Sequence, residues 1–300
     1  MSNKHHIFYH KDLDGRCSAG VMYHFLVGTR KHSLSPSSII FHSITYGMEF
    51  PFEKIAEDDH VYIVDYSIHP DEMLRLWGLT KNIVWIDHHI TAIEKYKDFP
   101  YDIGGNRDTA KCGALLCWEW CFPDQDVPAS VLLTNDYDLW TFQYGDFTKS
   151  FQIYMETFEA NFPNSLWLDP DIFEETEVMG YLTETPPVRD GRLLLNYKRK
   201  TDERKAKSLC FTTKVDDIRF LCANTQGNSA TVDSMFDPEK HDAIMLFHFN
   251  GRHWKFGLYT EKDIDLTPIA VANGGGGHKK ACGFELSNEE FCKSFINKED

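Results

Sequence analysis

The chain has no run approaching the roughly 18 consecutive apolar residues of a membrane-spanning helix, so no membrane association is expected. Its opening stretch, MSNKHHIFYHKD, holds no apolar signal core and no cleavage site, and a cytoplasmic location is expected. Basic residues are scarce: 31 Lys and Arg stand against 46 Asp and Glu, a formal net charge of −15. A long nucleic-acid groove is normally basic, because phosphate neutralisation supplies most of the affinity. The shortage argues against long duplex DNA. Mononucleotides, dinucleotides and short oligonucleotides remain open, since divalent cations can supply positive charge locally. Internal repeats and low-complexity tracts are absent, and no Cys-x-x-Cys pair occurs among the eight cysteines. These are sparse for 300 residues and mostly lie in apolar segments; Cys112, Cys117 and Cys121 share a predicted helix with Trp118 and Trp120. Buried, reduced thiols are expected rather than zinc ligands or disulfides.

What is present suits an ordinary globular protein, 42% hydrophobic and 14% aromatic, with enough chain for two domains. The first half alternates short apolar runs with helical stretches. Strands are predicted at 6–10, 39–46, 60–66 and 82–87, and helices at 16–28, 70–79, 109–122 and 127–135. Continuous apolar strands between helices indicate an α/β fold, a parallel sheet with helices on both faces. Cys17-Ser18-Ala19-Gly20 gives the first helix a small-residue start suited to close approach to the sheet. Farther on, Glu174, Glu175 and Glu177 form an acidic stretch that Thr185-Pro186-Pro187 breaks. A basic helix over 193–207 follows and reads as a bridge, its charges a solvated face rather than a phosphate site. From about 208 a smaller α/β unit is predicted, with strands at 208–213, 217–224, 242–249 and 252–260 and helices near 228–236 and 266–273. The expected domains are 1–190 and 208–300, joined by a linker helix at 191–207.

Chemistry gathers where apolar runs end. HIFYH (6–10) leads into Asp12 and Asp14, VYIV (61–64) into Asp65, and NIVWI (82–86) into Asp87-His88-His89. A further pair, Asp136 and Asp138, follows SVLLT (130–134). Any one cluster could be a turn or a helix cap. Together they are different, because the carboxyl ends of parallel strands lie on one edge, where ligands bind. His10, Asp12, Asp14, Asp65, Asp87, His88 and Asp136 can then converge from four segments. Hard carboxylates with imidazoles are what a two-metal hydrolase needs.

The last motif is Asn273-Gly274-Gly275-Gly276-Gly277-His278. Consecutive glycines let the backbone press against a ligand and offer N–H groups to an anion. The order His-x-Asp-x-Asp-Gly, Asp-x-Ser, Asp-His-His, a later Asp and a terminal Gly-Gly-Gly-His-x-x-Ala-x-Gly (275–283) resembles the DHH phosphoesterase superfamily with its DHHA1 domain. The likeness spans essentially the whole chain and is nearest the nanoRNase and RecJ-like types. Arg107-Asp108-Thr109 and Phe142-Gln143-Tyr144-Gly145 look like an uncharacterised bacterial and phage branch. Many relatives place three residues between the first His and the first Asp, whereas here only Lys11 intervenes.

The resemblance implies a parallel-sheet DHH domain and a smaller DHHA1 domain across a cleft. It implies two divalent metals, usually manganese, with magnesium or cobalt as alternatives. His10, Asp12 and Asp65 would hold one; Asp14, Asp65, His88 and Asp136 the other, with Asp65 bridging. Asp136 is preferred to Asp138 because it comes sooner after the apolar run. Asp87 and His89 are the catalytic candidates, Asp87 orienting the histidines and His89 facing the scissile phosphate. Arg107, Gly275, Gly276, Gly277 and His278 are the substrate-binding candidates. The implied activity is phosphodiester hydrolysis of short single-stranded oligonucleotides to nucleoside monophosphates, with a homodimer as an open alternative. Alternatives are a 3′-phosphoadenosine 5′-phosphate phosphatase, a cyclic-dinucleotide phosphodiesterase, and a non-catalytic nucleotide sensor or scaffold.

Overall fold

The computed structural model describes residues 3–28, 33–174, 177 and 185–293, so Glu175 of the acidic stretch lies outside the described residues. The chain divides into two units, Met1–Leu195 and Asn196–Asp300.

Unit 1 is built on a four-stranded, all-parallel sheet in the order β2-β1-β3-β4. The strands are β1 (His5–His10), β2 (Ile39–Ile44), β3 (His60–Val64) and β4 (Ile83–Ile86). Alternation assigns their side chains to two faces. Ile7, Tyr9, Tyr62, Val64 and Ile86 enter one apolar cluster with residues of α1 (Leu13–Gly28), α4 (Gly113–Cys121), α5 (Ala129–Asp138) and α6 (Asp146–Phe158). Phe8, Val61, Ile63, Ile83 and Trp85 enter a second cluster with Met73 and Leu76 of α2 (Pro70–Leu79). Both faces are therefore buried, which is why the strands read as unbroken apolar runs. A short α3 (Ile90–Lys95) follows β4.

The small residues of α1 act differently from expectation. Close approach to the sheet happens at Gly15, where a Cβ would stand 2.1 Å from the His10 carbonyl oxygen. Gly20 instead makes room for Trp167, whose Cβ would lie 2.6 Å from an added methyl. Trp167 is fully buried there. Helix α1 also begins three residues before the predicted start, because Asp12 caps it by accepting from Gly15 N at 3.0 Å.

The two prolines 186 and 187 do not break a helix but open one, α7 (Pro186–Leu209), since a proline in the first turn removes no helical hydrogen bond. The division between the units falls inside this helix. Its basic residues pair along its own surface, Lys198 with Asp202 and Lys207 with Glu203.

Unit 2 carries a six-stranded mixed sheet, β5-β6-β7-β8-β10-β9, in which only β6 and β7 pair in parallel. The strands are β5 (Cys210–Val215), β6 (Ile218–Asn224), β7 (Ala243–Phe249), β8 (His253–Tyr259), β9 (Gly276–His278) and β10 (Ala281–Ser287). The helix expected near 228–236 is two single 3-10 turns, Ser229–Thr231 and Asp233–Met235. Helix α8 (Thr267–Ala272) leads into the glycine run, and α9 (Asn288–Phe291) follows β10. No helix among the described residues is long and apolar enough to cross a membrane. None of the eight cysteines is in a disulfide, and six of them are buried.

Candidate metal centre

Because the sheet is parallel, the ends of β1, β3 and β4 share one edge, and His10, Asp65 and Asp87-His88-His89 stand there together. His10 Nδ1 lies 2.5 Å from Asp12 Oδ2 and 3.9 Å from Asp65 Oδ2. His88 Nε2 lies 3.3 Å from Asp65 Oδ1 and 3.7 Å from both Asp14 Oδ2 and Asp138 Oδ2. Three donor sets result among the described residues, His10/Asp12/Asp65, Asp14/His88/Asp138 and Asp65/Asp87/His88/His89, the donor atoms of each within 4.8 Å of one another. The third links the first two, through Asp65 and His88. The short His10-Lys11-Asp12 spacing does not keep Asp12 from the first set.

Asp65 is the centre of this arrangement. It is 1% exposed, and neither of its carboxylate oxygens has a hydrogen-bond partner. Burial, then the charges of Asp14, Asp12, Asp87 and Asp138, push its carboxyl well above the usual range. Its backbone is left-handed, at φ 51°, which few residues other than Gly, Asn and Asp adopt readily. A buried, unpaired carboxylate among other carboxylates is costly unless a cation joins it. The donor chemistry thus fits divalent metal ions.

The surroundings divide into residues that face the cluster and residues that hold those. Asp14, 2% exposed, accepts from the first amides of α4, Gly113 N at 2.6 Å and Ala114 N at 2.7 Å. The positive end of that helix stabilises its charge. Asp87 is fully buried and accepts at Oδ1 from His88 N (2.8 Å) and His89 Nδ1 (2.7 Å), and at Oδ2 from Ser67 Oγ. Burial alone would raise the Asp87 carboxyl, but the bonds from His89 and Ser67 outweigh it and hold it below the usual range. In turn Asp87 raises the His89 imidazole above its ordinary value. His88 moves the other way, because burial outweighs the nearby carboxylates and keeps the ring neutral, as a metal ligand must be.

Asp136 corrects the sequence reading. It lies within α5 rather than beyond it, and two residues on a helix differ by about 200°, so Asp136 and Asp138 cannot face the same way. Asp138 is the one beside His88. Its side chain keeps 27% of its surface exposed, yet desolvation of its carboxyl and the charges of Asp14 and Asp12 raise it to about 8. Asp136, fully buried, accepts instead from Thr141 Oγ1 (2.5 Å), Gln143 N (2.8 Å), Tyr144 N (3.2 Å) and Thr148 Oγ1.

Two substrate-binding expectations also change. Arg107 donates to the carbonyls of Trp85 (2.9 Å) and Ile103 (3.0 Å) and lies over the Trp85 ring, so it staples the 103–107 segment to β4. The Gly275 amide donates to Ala270 O at 2.8 Å and closes the end of α8, so it is not offered to an anion. Gly276, Gly277 and His278 form β9, an exposed edge strand paired with β10. Gly277 is required by the chain itself: its φ is +135°, and a Cβ there would meet Cys282 Cα at 2.7 Å.

Two residues escaped the sequence reading. Gly113 has no room for a side chain, since a Cβ would sit 2.6 Å from Asp65 Cβ and 3.1 Å from Asp14 Oδ2. The only hint was a glycine directly before an apolar helix. Tyr46, just past the end of β2 and 56% exposed, lies beside His10 and His89, with ring centroids 5.8 and 6.1 Å away. An isolated tyrosine in a turn carried no signal.

No family model matches the chain. An uncharacterised protein, R106, of Acanthamoeba polyphaga mimivirus is 23% identical over 272 residues. That alignment takes in 85% of this chain and 59% of the viral protein, so the chain spans well under two thirds of that relative's length. Among solved structures, the DHH domain of a protein described as belonging to a family of ribosomal proteins superposes with a TM-score of 0.63 at 11% identity. The match covers 98% of this chain and 85% of that one. A pGpG-specific phosphodiesterase from Vibrio cholerae matches with a TM-score of 0.57 at 12% identity, over 97% and 96% of the two chains. With a four-stranded parallel sheet, a second mixed sheet and these likenesses in shape, the chain shares the fold of that DHH domain and of that phosphodiesterase.

Proposed function

We propose that this protein is a divalent-metal-dependent phosphodiesterase that hydrolyses short oligonucleotides, dinucleotides first, to nucleoside monophosphates. One observation carries the reading: Asp65, buried without a hydrogen-bond partner, lies between two sets of carboxylate and imidazole donors. His10, Asp12 and Asp65 would hold one ion, and Asp14, Asp65, His88 and Asp138 the other. Manganese is the first candidate, since mixed imidazole and carboxylate ligands suit first-row ions better than calcium. Bound there, such ions supply Lewis acidity and a water acidic enough to attack near neutral pH.

The chain's own residues do the rest. Asp87 fixes the ring of His89 through Nδ1 and favours its protonated form, which presents a donor at Nε2 to phosphoryl oxygens. The amides of Gly113 and Ala114 hold Asp14 in place. No Ser or Cys nucleophile is needed, and Cys17 is fully buried. Gly276 and His278, both exposed, are the remaining candidates for anion contact in the second unit. The dinucleotide is the first choice because a structurally similar protein is a pGpG-specific phosphodiesterase. The acidic net charge agrees with a short substrate, and we place the activity in the cytoplasm.

The test is hydrolysis, in manganese and in EDTA, of a 5′-phosphorylated dinucleotide, a 5-mer, 3′-phosphoadenosine 5′-phosphate and a cyclic dinucleotide. Manganese-dependent release of monophosphates from the first two is expected. Turnover confined to the bisphosphate or the cyclic substrate would replace the proposed substrate. Binding of metal with no turnover of any would favour a sensor.

A further inference from the structure

Asp136 binds no metal in this reading, yet it is fully buried and accepts four hydrogen bonds from the 141–148 segment. The segment it holds includes an unusual turn. Trp140 and Phe142 have left-handed backbones, at φ 57° and 47°. Bulky residues seldom take that conformation unless the surroundings impose it. The turn sets the rings of Tyr137, Trp140 and Phe142 edge to face, with centroids 4.6 Å (Trp140–Phe142) and 5.4 Å (Tyr137–Trp140) apart. Trp140 nonetheless remains 39% exposed.

Trp140 and Tyr137 line a cavity of about 410 Å³ that lies wholly within the first unit and also reaches Asp12, Asp14 and Asp138 of the metal centre. Small-molecule pockets occupy roughly 300–1,000 Å³, so this one takes a single nucleotide and not a duplex. Its walls differ in chemistry. Lys11, exposed and in no ion pair among the described residues, lines it with Arg16, whose Nε is buried without an acceptor. Gln152 is 6% exposed and donates its amide N–H to Glu156 Oε1 at 2.6 Å. Its carbonyl oxygen is buried without a hydrogen-bond partner. A buried acceptor of that kind is costly, and an N–H group of a ligand would satisfy it.

We propose that this cavity is a nucleoside subsite: the base stacks on Trp140 and gives an N–H to Gln152, while the phosphate lies toward Lys11 and the metal centre. The inference rests on the phosphodiesterase reading for the identity of that phosphate. It gives Asp136 a positioning role, through the turn that carries Trp140.

Equilibrium binding to the whole chain, in manganese, of adenosine 5′-monophosphate and of ribose 5-phosphate tests it. A base–aromatic stack predicts that the wild type prefers the nucleotide by about 10- to 100-fold. Trp140→Leu should lose that preference and Trp140→Phe should keep most of it. Lys11→Ala should weaken both ligands equally. Equal affinities in the wild type, no binding of either ligand, or an unchanged preference in Trp140→Leu would overturn the subsite. Dinucleotide hydrolysis, measured beside it, separates the two readings. Turnover with no preference for the base removes the subsite and keeps the enzyme. A preference lost in Trp140→Leu, without turnover by the wild type, removes the enzyme and keeps the subsite.

Discussion

At the scale of single residues, the centre opposes stability. Asp65 is buried among carboxylates, and neither of its oxygens is in a hydrogen bond. Asp65→Asn should therefore raise the stability of the metal-free protein by about 1–2 kcal/mol, because a neutral amide replaces an unpaired buried acid. The left-handed backbone at this position also suits Asn. The same variant should lose both turnover and the rise in Tm that manganese gives the wild type. Melting curves with and without metal check this, and a stabilisation by manganese that survives the substitution would remove Asp65 from the site. Asp136 and Asp138 should separate cleanly. Asp138→Asn should weaken metal binding and, because desolvation and the charges of Asp14 and Asp12 raise its carboxyl to about 8, should raise rather than lower metal-free stability at pH 7. Asp136→Asn should cost about 2–4 kcal/mol, since a buried charged acceptor with four donors is disturbed.

At the scale of elements, helix ends position the ligands. The start of α4 reaches Asp14 only because residue 113 has no side chain. Gly113→Ala should push Asp65 and α4 apart and lower metal affinity about 10- to 100-fold, as is usual when the support of a ligand is lost. Isothermal titration with manganese measures it. In unit 2 a different clamp joins β6 to the start of β7. Asp242 accepts from Arg219 Nε and Nη2 and from Lys262 Nζ, each at 2.8 Å. Arg219 first and Lys262 second hold its carboxyl far below the usual range. A depressed acid contributes stability above its unfolded value, and that contribution is lost as pH falls. Asp242→Asn should lower Tm at pH 7, and the gap from wild type should close as pH drops below the ordinary aspartate value of 3.8. A gap that persists in acid would show that shape, not charge, holds the clamp.

At the scale of the whole molecule, the parallel sheet could be read from the sequence because both of its faces are covered, so its strands are continuous apolar runs. In such a sheet the polar residues that end each run must share an edge, so sequence order alone places His10, Asp65 and His88 together. The strands of the second unit were legible as far as β8 for a different reason, since β6 and β7 are apolar runs and β8 alternates. Strand β9 was not, because three residues of glycine and histidine have no alternation to read. Periodicity also failed at Asp136. It could not say whether α5 ends before or after residue 136, and one such boundary decides which carboxylate turns toward His88. Arg107 went the same way, since a charged side chain in an irregular segment looks free until the carbonyls of Trp85 and Ile103 are seen to take it. Composition and local pattern thus indicated the class of fold, most of the strands and the types of donor at the sheet edge, all of which depend on neighbours along the chain. Which oxygen faces which nitrogen, why residue 113 must be glycine and where Trp140 stands were decided by packing between segments up to about a hundred residues apart. Contacts at that separation leave no period in the sequence.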